Sequence, residues 1–232
     1  GIKKGDVVSF QLPNWGEAVI VHQALAMIGA VSNPIIPIYR QKELHYILSR
    51  SNTKLLIIPY TFRGFNYVDM VRSIKADLPA LQRVLVIDKY EENCRLEPGE
   101  EDFAVFLASG REHDAIEPVQ ATDPALLLFT SGTTSEPKGV LHSHNTLIYE
   151  NETIIELYEL NSDDVIFMPS PVTHITGLLY GLEMPFMIQG KVVFQDVWDP
   201  EVAVQILMAE ECTMAIGATP FLLPLMLQLG FG

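Results

Sequence analysis

Cysteine is scarce: Cys94 and Cys212 are the only two in 232 residues, and neither has a second cysteine or a close histidine pair beside it. That spacing excludes a disulfide framework and a zinc site, and a reducing, cytoplasmic setting is expected. Positive charge is scarce too, with 15 Lys and Arg against 29 Asp and Glu and a formal net charge of −14. A field of that sign repels duplexes and anionic membranes, so no nucleic-acid partner is expected. Uncharged runs long enough to cross a bilayer occur at residues 18–39 and 212–232. The first holds His22, Gln23, Asn33, Pro34 and Pro37 and the second holds Pro220 and Pro224, so no transmembrane segment is expected. An initiator methionine and a signal-like apolar run are also lacking around Gly1, Ile2, Lys3 and Lys4, which reads as an excised piece of a longer chain.

What is present is ordinary globular material, 48% hydrophobic and 19% charged, which excludes a disordered chain. Short β-rich apolar runs at residues 7–11, 31–36, 55–59 and 84–87 alternate with helix-like patterns. Asn14 stands where it can cap a helix with Glu17 at N3, and Leu44, Ile47 and Leu48 fall on one helical face. After Asp88 the pattern dissolves into Glu91, Glu92, Glu97, Pro98, Gly99, Glu100, Glu101 and Asp102, which reads as a solvated connector and not a strand. Strand patterns resume at 125–129, 165–168, 192–194 and 214–216, with helical stretches at 147–158 and 200–210. The expectation is an α/β fold of two βα-alternating subdomains, with parallel or mixed sheets packed with helices and one sheet from each side of the connector. The domains are expected at 1–90, 91–124 (acidic connector and helix) and 125–232.

Between the strand at 125–129 and the apolar Val140 and Leu141 lies a loop in which Thr130, Ser131, Thr133, Thr134 and Ser135 carry hydroxyls. It also holds Gly132, Glu136, Pro137, Lys138 and Gly139. Hydroxyl donors, small residues that free backbone N–H groups, and one lysine make an oxyanion site, and phosphate is the usual anion of that size. Lys138 is the only Lys or Arg from Glu112 through Gly190, a lone cation in an acidic chain. A Walker A loop fails on register: Pro137 stands where its second glycine belongs, and Gly139 follows the lysine in place of Ser or Thr. A polar turn that binds nothing is the alternative.

The string FTSGTTSEPKGVLHSHNTL, residues 129–147, resembles the phosphate-loop signature of the adenylate-forming ligase superfamily, which includes acyl-CoA synthetases. GDVVSFQLPNW at residues 5–15 is similar to the family's first βα unit, and PVTHITG at 171–177 to its next motif. Ser135 stands where the family usually has glycine, and Thr173 where it usually has an aromatic residue. The resemblance implies that the loop holds ATP phosphates while a substrate carboxylate attacks the α-phosphorus, releasing pyrophosphate, and that a thiol then takes the acyl group. By position it implies that Thr130, Ser131, Gly132, Thr133, Thr134 and Lys138 hold phosphate oxygens, with Thr134, Lys138 and His174 as the catalytic candidates. His144 matches a family histidine and could equally cap the helix that begins near Asn145. ATP, Mg²⁺ and CoA are the implied cofactors.

Amino-acid-activating relatives place an aspartate in the second motif to pair with the α-ammonium, and residues 171–177 offer none. A plain, small-molecule carboxylic acid is the implied substrate. His174 matches the histidine that lies near the acyl group in acyl-CoA synthetases. Read from composition alone, a histidine in an apolar stretch is more often a packed residue with one satisfied nitrogen. The family's aromatic-Gly-x-Thr-Glu motif, its ribose-binding aspartate and its C-terminal adenylation lysine do not appear, so the chain alone is expected to be inactive. The alternatives are a nucleotide- or anion-binding module without catalysis, an adenylating enzyme with a carrier-protein acceptor and, less consistent with the loop, a P-loop NTPase. No reading of the oligomeric state follows from the sequence.

Overall fold

The computed structural model describes residues 1–90, 94–110, 116–130 and 136–230. Its contacts divide into two units. One comprises Gly1–Leu12 with Val21–His144, the other Pro13–Ile20 with Asn145–Gly232.

The first unit is built on β1 (Val7–Phe10), α1 (Gly16–Met27, which ends here), β2 (Val31–Pro34), α2 (Gln41–Arg50) and β3 (Leu55–Pro59). A small antiparallel pair follows, β4 (Thr61–Phe62) with β5 (Phe65–Asn66). Then come α3 (Tyr67–Lys75), β6 (Arg83–Ile87), β7 (Glu100–Asp102), α4 (Phe103–Ala108), β8 (Pro124–Thr130) and β9 (Lys138–Ser143). Among the described residues these make a seven-stranded sheet ordered β7-β6-β3-β1-β2-β8-β9. All neighbours are parallel except β8 and β9. Parallel strands covered on both faces must be apolar throughout, and Leu56, Ile57, Ile58, Val84, Leu85 and Val86 are all buried. The expected face of α2 is buried as well, through Leu44, Ile47 and Leu48, each contributing about 1.5–3 kcal/mol by removal from water.

Two expectations change here. The acidic stretch is not simply a solvated connector, because residues 100–102 form the edge strand β7. The Glu100 side chain is 2% exposed and accepts hydrogen bonds from Arg72 Nε at 2.9 Å and Nη2 at 2.6 Å. Glu101 pairs with Arg83, and the Asp102 carboxylate accepts from Val105 N at 2.8 Å to cap α4. Partners on α3 and β6, remote in sequence, neutralise what a local reading leaves to solvent; Glu91 and Glu92 lie outside the described residues. The sheets, moreover, do not divide at this stretch. β8 and β9 follow it, yet β8 pairs with β2 and the hairpin completes the first sheet.

The second unit holds α5 (His144–Tyr158, beginning at the boundary), β10 (Val165–Met168), α6 (Ile175–Gly177), a π-helical segment Leu178–Glu183 and α7 (Met184–Ile188). β11 (Lys191–Phe194), α8 (Pro200–Ala209), β12 (Met214–Ala215) and α9 (Thr219–Gln228) follow. Its three-stranded parallel sheet runs β11-β10-β12. β10 shows the two-residue period of a strand directly. Ile166 and Met168 pack with Met184 and Ile188, while Phe167 packs with Ala203 and Leu225. Among the described residues no helix is long and apolar enough to cross a membrane.

Candidate functional site

Thr130 and Lys138 face each other across the mouth of a hairpin. β8 and β9 pair antiparallel in the register Leu128↔Val140, Phe129↔Gly139 and Thr130↔Lys138, so the hydroxyl-rich segment leaves and rejoins the sheet at one point. The Thr130 hydroxyl lies 3.5 Å from the Lys138 carbonyl oxygen, and both residues are exposed. Ser131, Gly132, Thr133 and Thr134, together with Ser135, lie outside the described residues. A strand opens at Lys138, where a Walker A loop opens a helix whose N-terminus would meet the phosphates.

Gly139 lies close against side chains of the neighbouring strand. A Cβ there would stand 3.1 Å from Leu127 Cδ1 and 3.4 Å from Phe129 Cζ. Beside the hairpin's base a cavity of about 770 Å³ is lined by Tyr46 and Arg50 of α2 and by residues 136–139. Tyr46 meets Phe129 edge-to-face with centroids 6.5 Å apart. Partial burial and a hydrogen bond with the Glu136 carboxylate raise its phenol above the ordinary range. Arg50 thus adds a second cation to the cavity that Lys138 lines, one that sequence reading missed. No local signal could have found it, since Arg50 ends a helix far from the loop in sequence.

His174 belongs to the second unit. It is exposed, and so is not the packed histidine that composition alone favours. It caps α6 with extended backbone and takes the Thr176 N–H on Nδ1 at a long 3.4 Å. Its own N–H donates to Pro171 O at 2.9 Å. Gly177 permits the turn: a Cβ there would lie 2.1 Å from Pro171 O, a backbone atom. Leu178 and Leu179 beyond it are core residues. Thr173 is buried, and its hydroxyl has no partner among the described residues. His144 opens α5, and its N–H donates to Asp123 O at 3.3 Å.

Asn14 was expected to cap α1. The helix begins at Gly16, which puts Trp15 at the cap position, and the Asn14 amide is engaged elsewhere. Its Nδ2 donates to Ser170 O at 2.9 Å and to Gln195 O at 3.1 Å, and its Oδ1 accepts from Val172 N at 2.8 Å.

The sequence model of the AMP-binding enzyme family matches residues 1–231. The chain belongs to this family. It is 33% identical over 228 residues to the medium-chain fatty-acid–CoA ligase of Escherichia coli K12, a match covering 97% of the chain and 39% of that protein. Among solved structures it is similar to an acyl-CoA synthetase of Brucella canis, with a TM-score of 0.83 at 23% identity, covering 98% of the chain and 40% of that structure. It is also similar to ATP-bound MatB of Rhodopseudomonas palustris, with a TM-score of 0.81 at 24% identity, covering 97% and 42%. These likenesses show the adenylate-forming ligase N-terminal fold. The chain spans about two fifths of the length of the first curated relatives it matches.

The residues in hand suit a polyphosphate better than a metal. Lys138 and Arg50 bring two cations to one cavity, which the Glu136 carboxylate also lines, and Thr130 stands opposite Lys138 in the hairpin register. No group of three His, Cys, Asp or Glu among the described residues could hold a metal ion.

Proposed function

We propose that the chain is the part of an AMP-forming acyl-CoA synthetase that holds the phosphates of ATP and part of the acyl site. The observation that carries this is the β8–β9 hairpin, whose register sets Thr130 against Lys138 at the mouth of the hydroxyl-rich loop. In the proposed reaction a carboxylate oxygen bonds to the α-phosphorus while the bond to the bridging oxygen breaks, and pyrophosphate leaves. A thiol sulfur then bonds to the acyl carbon, AMP leaves with the bonding electrons, and the thiol proton passes to AMP or solvent.

In this reading Thr130, Ser131, Gly132, Thr133, Thr134 and Lys138 hold phosphate oxygens. The Lys138 ammonium offsets the charge that accumulates on departing pyrophosphate, a contact of the charge-assisted class worth about 1.5–3 kcal/mol. Thr134, Lys138 and His174 are the proposed catalytic residues. His174, whose Nδ1 makes the capping contact, is assigned to the acyl group through Nε2. The substrate is a carboxylic acid without an α-ammonium group, since residues 171–177 carry no anion to pair with one. CoA is the assigned acceptor. Mg²⁺ would arrive with ATP, and no described residue is assigned to it.

A second reading is a nucleotide-binding module that does not turn over. Carboxylate-dependent exchange of labelled pyrophosphate into ATP separates them. The complete protein is expected to exchange with aliphatic or aromatic acids and residues 1–232 are not. Exchange only with amino acids would remove the substrate assignment, and robust exchange by residues 1–232 would remove the claim that they are insufficient.

A further inference from the structure

The segment from Met168 to Gly177 carries His174 and is irregular from Pro169 until α6 begins at Ile175, so something must fix its backbone. Its own side chains add one long contact, from Thr176 N–H to His174 Nδ1 at 3.4 Å. Ser170 and Thr173 are each 2% exposed, yet Ser170 Oγ and Thr173 Oγ1 are buried without a partner among the described residues. The fastening comes from Asn14, a residue of the same unit and 8% exposed. Its Nδ2 donates to Ser170 O at 2.9 Å and to Gln195 O at 3.1 Å, with Met168 O at a longer 3.5 Å, and its Oδ1 accepts from Val172 N at 2.8 Å. The next residue, Trp15, donates from Nε1 to Asp196 Oδ2 at 3.0 Å, tying down the same stretch after β11.

The chemistry of this set selects an amide. One backbone N–H needs an acceptor and two backbone carbonyls need donors, and among short side chains only Asn offers both from one rigid plane. The partners also fix which atom is oxygen, because reversing the amide would set oxygen against carbonyls and N–H against N–H. An aspartate keeps the bond to Val172 but turns a charged oxygen toward carbonyl oxygens. From Val172 the constraint passes to His174 within two residues, since His174 N donates to Pro171 O, a carbonyl that lies close against Gly177.

We propose that Asn14 is a positioning residue for the acyl site: it sets the backbone that orients His174, without touching substrate. The inference rests on the assignment of His174 made above. Its signature is selectivity, because disturbing this loop misplaces the acid and leaves the hairpin that holds phosphate unchanged.

The test is pyrophosphate exchange by the complete protein carrying Asn14→Asp or Asn14→Ala, with acid and ATP each titrated at saturation of the other. The expected result is a rise of about tenfold or more in the KM for acid or an equal fall in kcat, as misplacement of a reacting group produces. The KM for ATP should change less than about twofold, the level of indirect effects between independent sites. Asn14→Asp is nearly isosteric and provides the measurement where Asn14→Ala fails to fold. Equal changes in the two KM values, or no change in either KM or in kcat, overturns the proposal. A second measurement on residues 1–232 is independent of activity. In Asn14→Asp the amide protons of Val172 and His174 should lose about tenfold or more of their protection from exchange, while those of β3 keep theirs, as local opening requires. Unchanged protection overturns the proposal even if the complete protein exchanges. A wild-type complete protein that exchanges with no acid removes the synthetase reading alone, and the amide measurement then decides Asn14.

Discussion

The two motif-bearing loops are built on opposite plans. The hairpin stands open, with Thr130, Lys138, Gly139, Val140 and Leu141 all exposed, and the rings of Tyr46 and Phe129 meet beside it. The 169–177 segment is the reverse: Ser170, Val172 and Thr173 are buried, and its backbone is fastened to Asn14 on one side and closed by Gly177 on the other. The difference follows from the ligand each is assigned. A polyphosphate is recognised by charge and hydroxyl donors that can converge on it from exposed positions, whereas an acyl group lacks such handles and must meet a preset shape.

The sharpest way to break that contrast is the same small substitution in each loop. Gly177→Ala puts a Cβ 2.1 Å from the Pro171 carbonyl oxygen, a backbone atom already held by the His174 N–H. It is expected to cost about 3 kcal/mol or more, at the upper end for overpacking, because no side chain can swing aside. Urea unfolding of residues 1–232 measures it. A loss under about 1 kcal/mol, the lower end of that range, would mean that the segment is not rigid.

A position in neither loop calibrates the scale. The Glu100 carboxyl is raised by burial, but the hydrogen bonds from Arg72 and from Glu97 N outweigh this and hold it below the ordinary carboxylate range. Arg72→Ala is expected to cost about 2–3 kcal/mol, as for hydrogen bonds to a charged group. The sign of the pH dependence follows from the depressed value. The stabilisation from Glu100 is complete above its ordinary pKa of 4.5 and fades as pH falls through the lower folded value. The stability gap between the wild type and Glu100→Gln should therefore be widest near neutrality and close in acid; a gap independent of pH would remove the ion pair from the account.

Those same residues show what a sequence makes legible. The apolar runs announced β1, β3 and β10 because burial on both faces leaves a local signature in Val, Ile, Leu and Phe. β7 was hidden because its acidic side chains are satisfied by Arg72 and Arg83, which lie on other elements. β9 was hidden because KGVLHS carries no two-residue alternation; its strand is imposed by pairing with β8. At the candidate site, Lys138 and the hydroxyls stood out as local composition. Arg50 and Asn14 did not: the hydrogen-bond partners of the Asn14 side chain lie 154–181 residues away, and locally it looks like a helix cap. Local chemistry is legible, while the supports that arrive from elsewhere are not.

If the hairpin works by charge, its largest functional sensitivity should be at Lys138. Lys138→Ala in the complete protein is expected to weaken ATP-dependent pyrophosphate exchange about tenfold to a hundredfold, the loss of one charge-assisted contact. The urea stability of residues 1–232 should barely change, because the side chain is exposed. Unaltered dependence on ATP in that variant would remove Lys138 from the site.

The smallest expected effect closes the comparison with Gly177. Gly139→Ala adds a Cβ 3.1 Å from Leu127 Cδ1 and 3.4 Å from Phe129 Cζ, which are side-chain atoms on the facing strand. A leucine terminus can rotate by a few tenths of an ångström, and alanine suits an extended strand better than glycine does, so the two effects oppose each other. The net cost in urea unfolding should stay within about 1 kcal/mol. Its functional consequence is indirect: moving the Phe129 ring disturbs its edge-to-face contact with Tyr46, and with it the cavity wall that Glu136 and Lys138 share. A small rise in the KM for ATP with unchanged stability would make the brace part of the phosphate site. A stability loss as large as that of Gly177→Ala would erase the distinction between an open hairpin and a clamped loop.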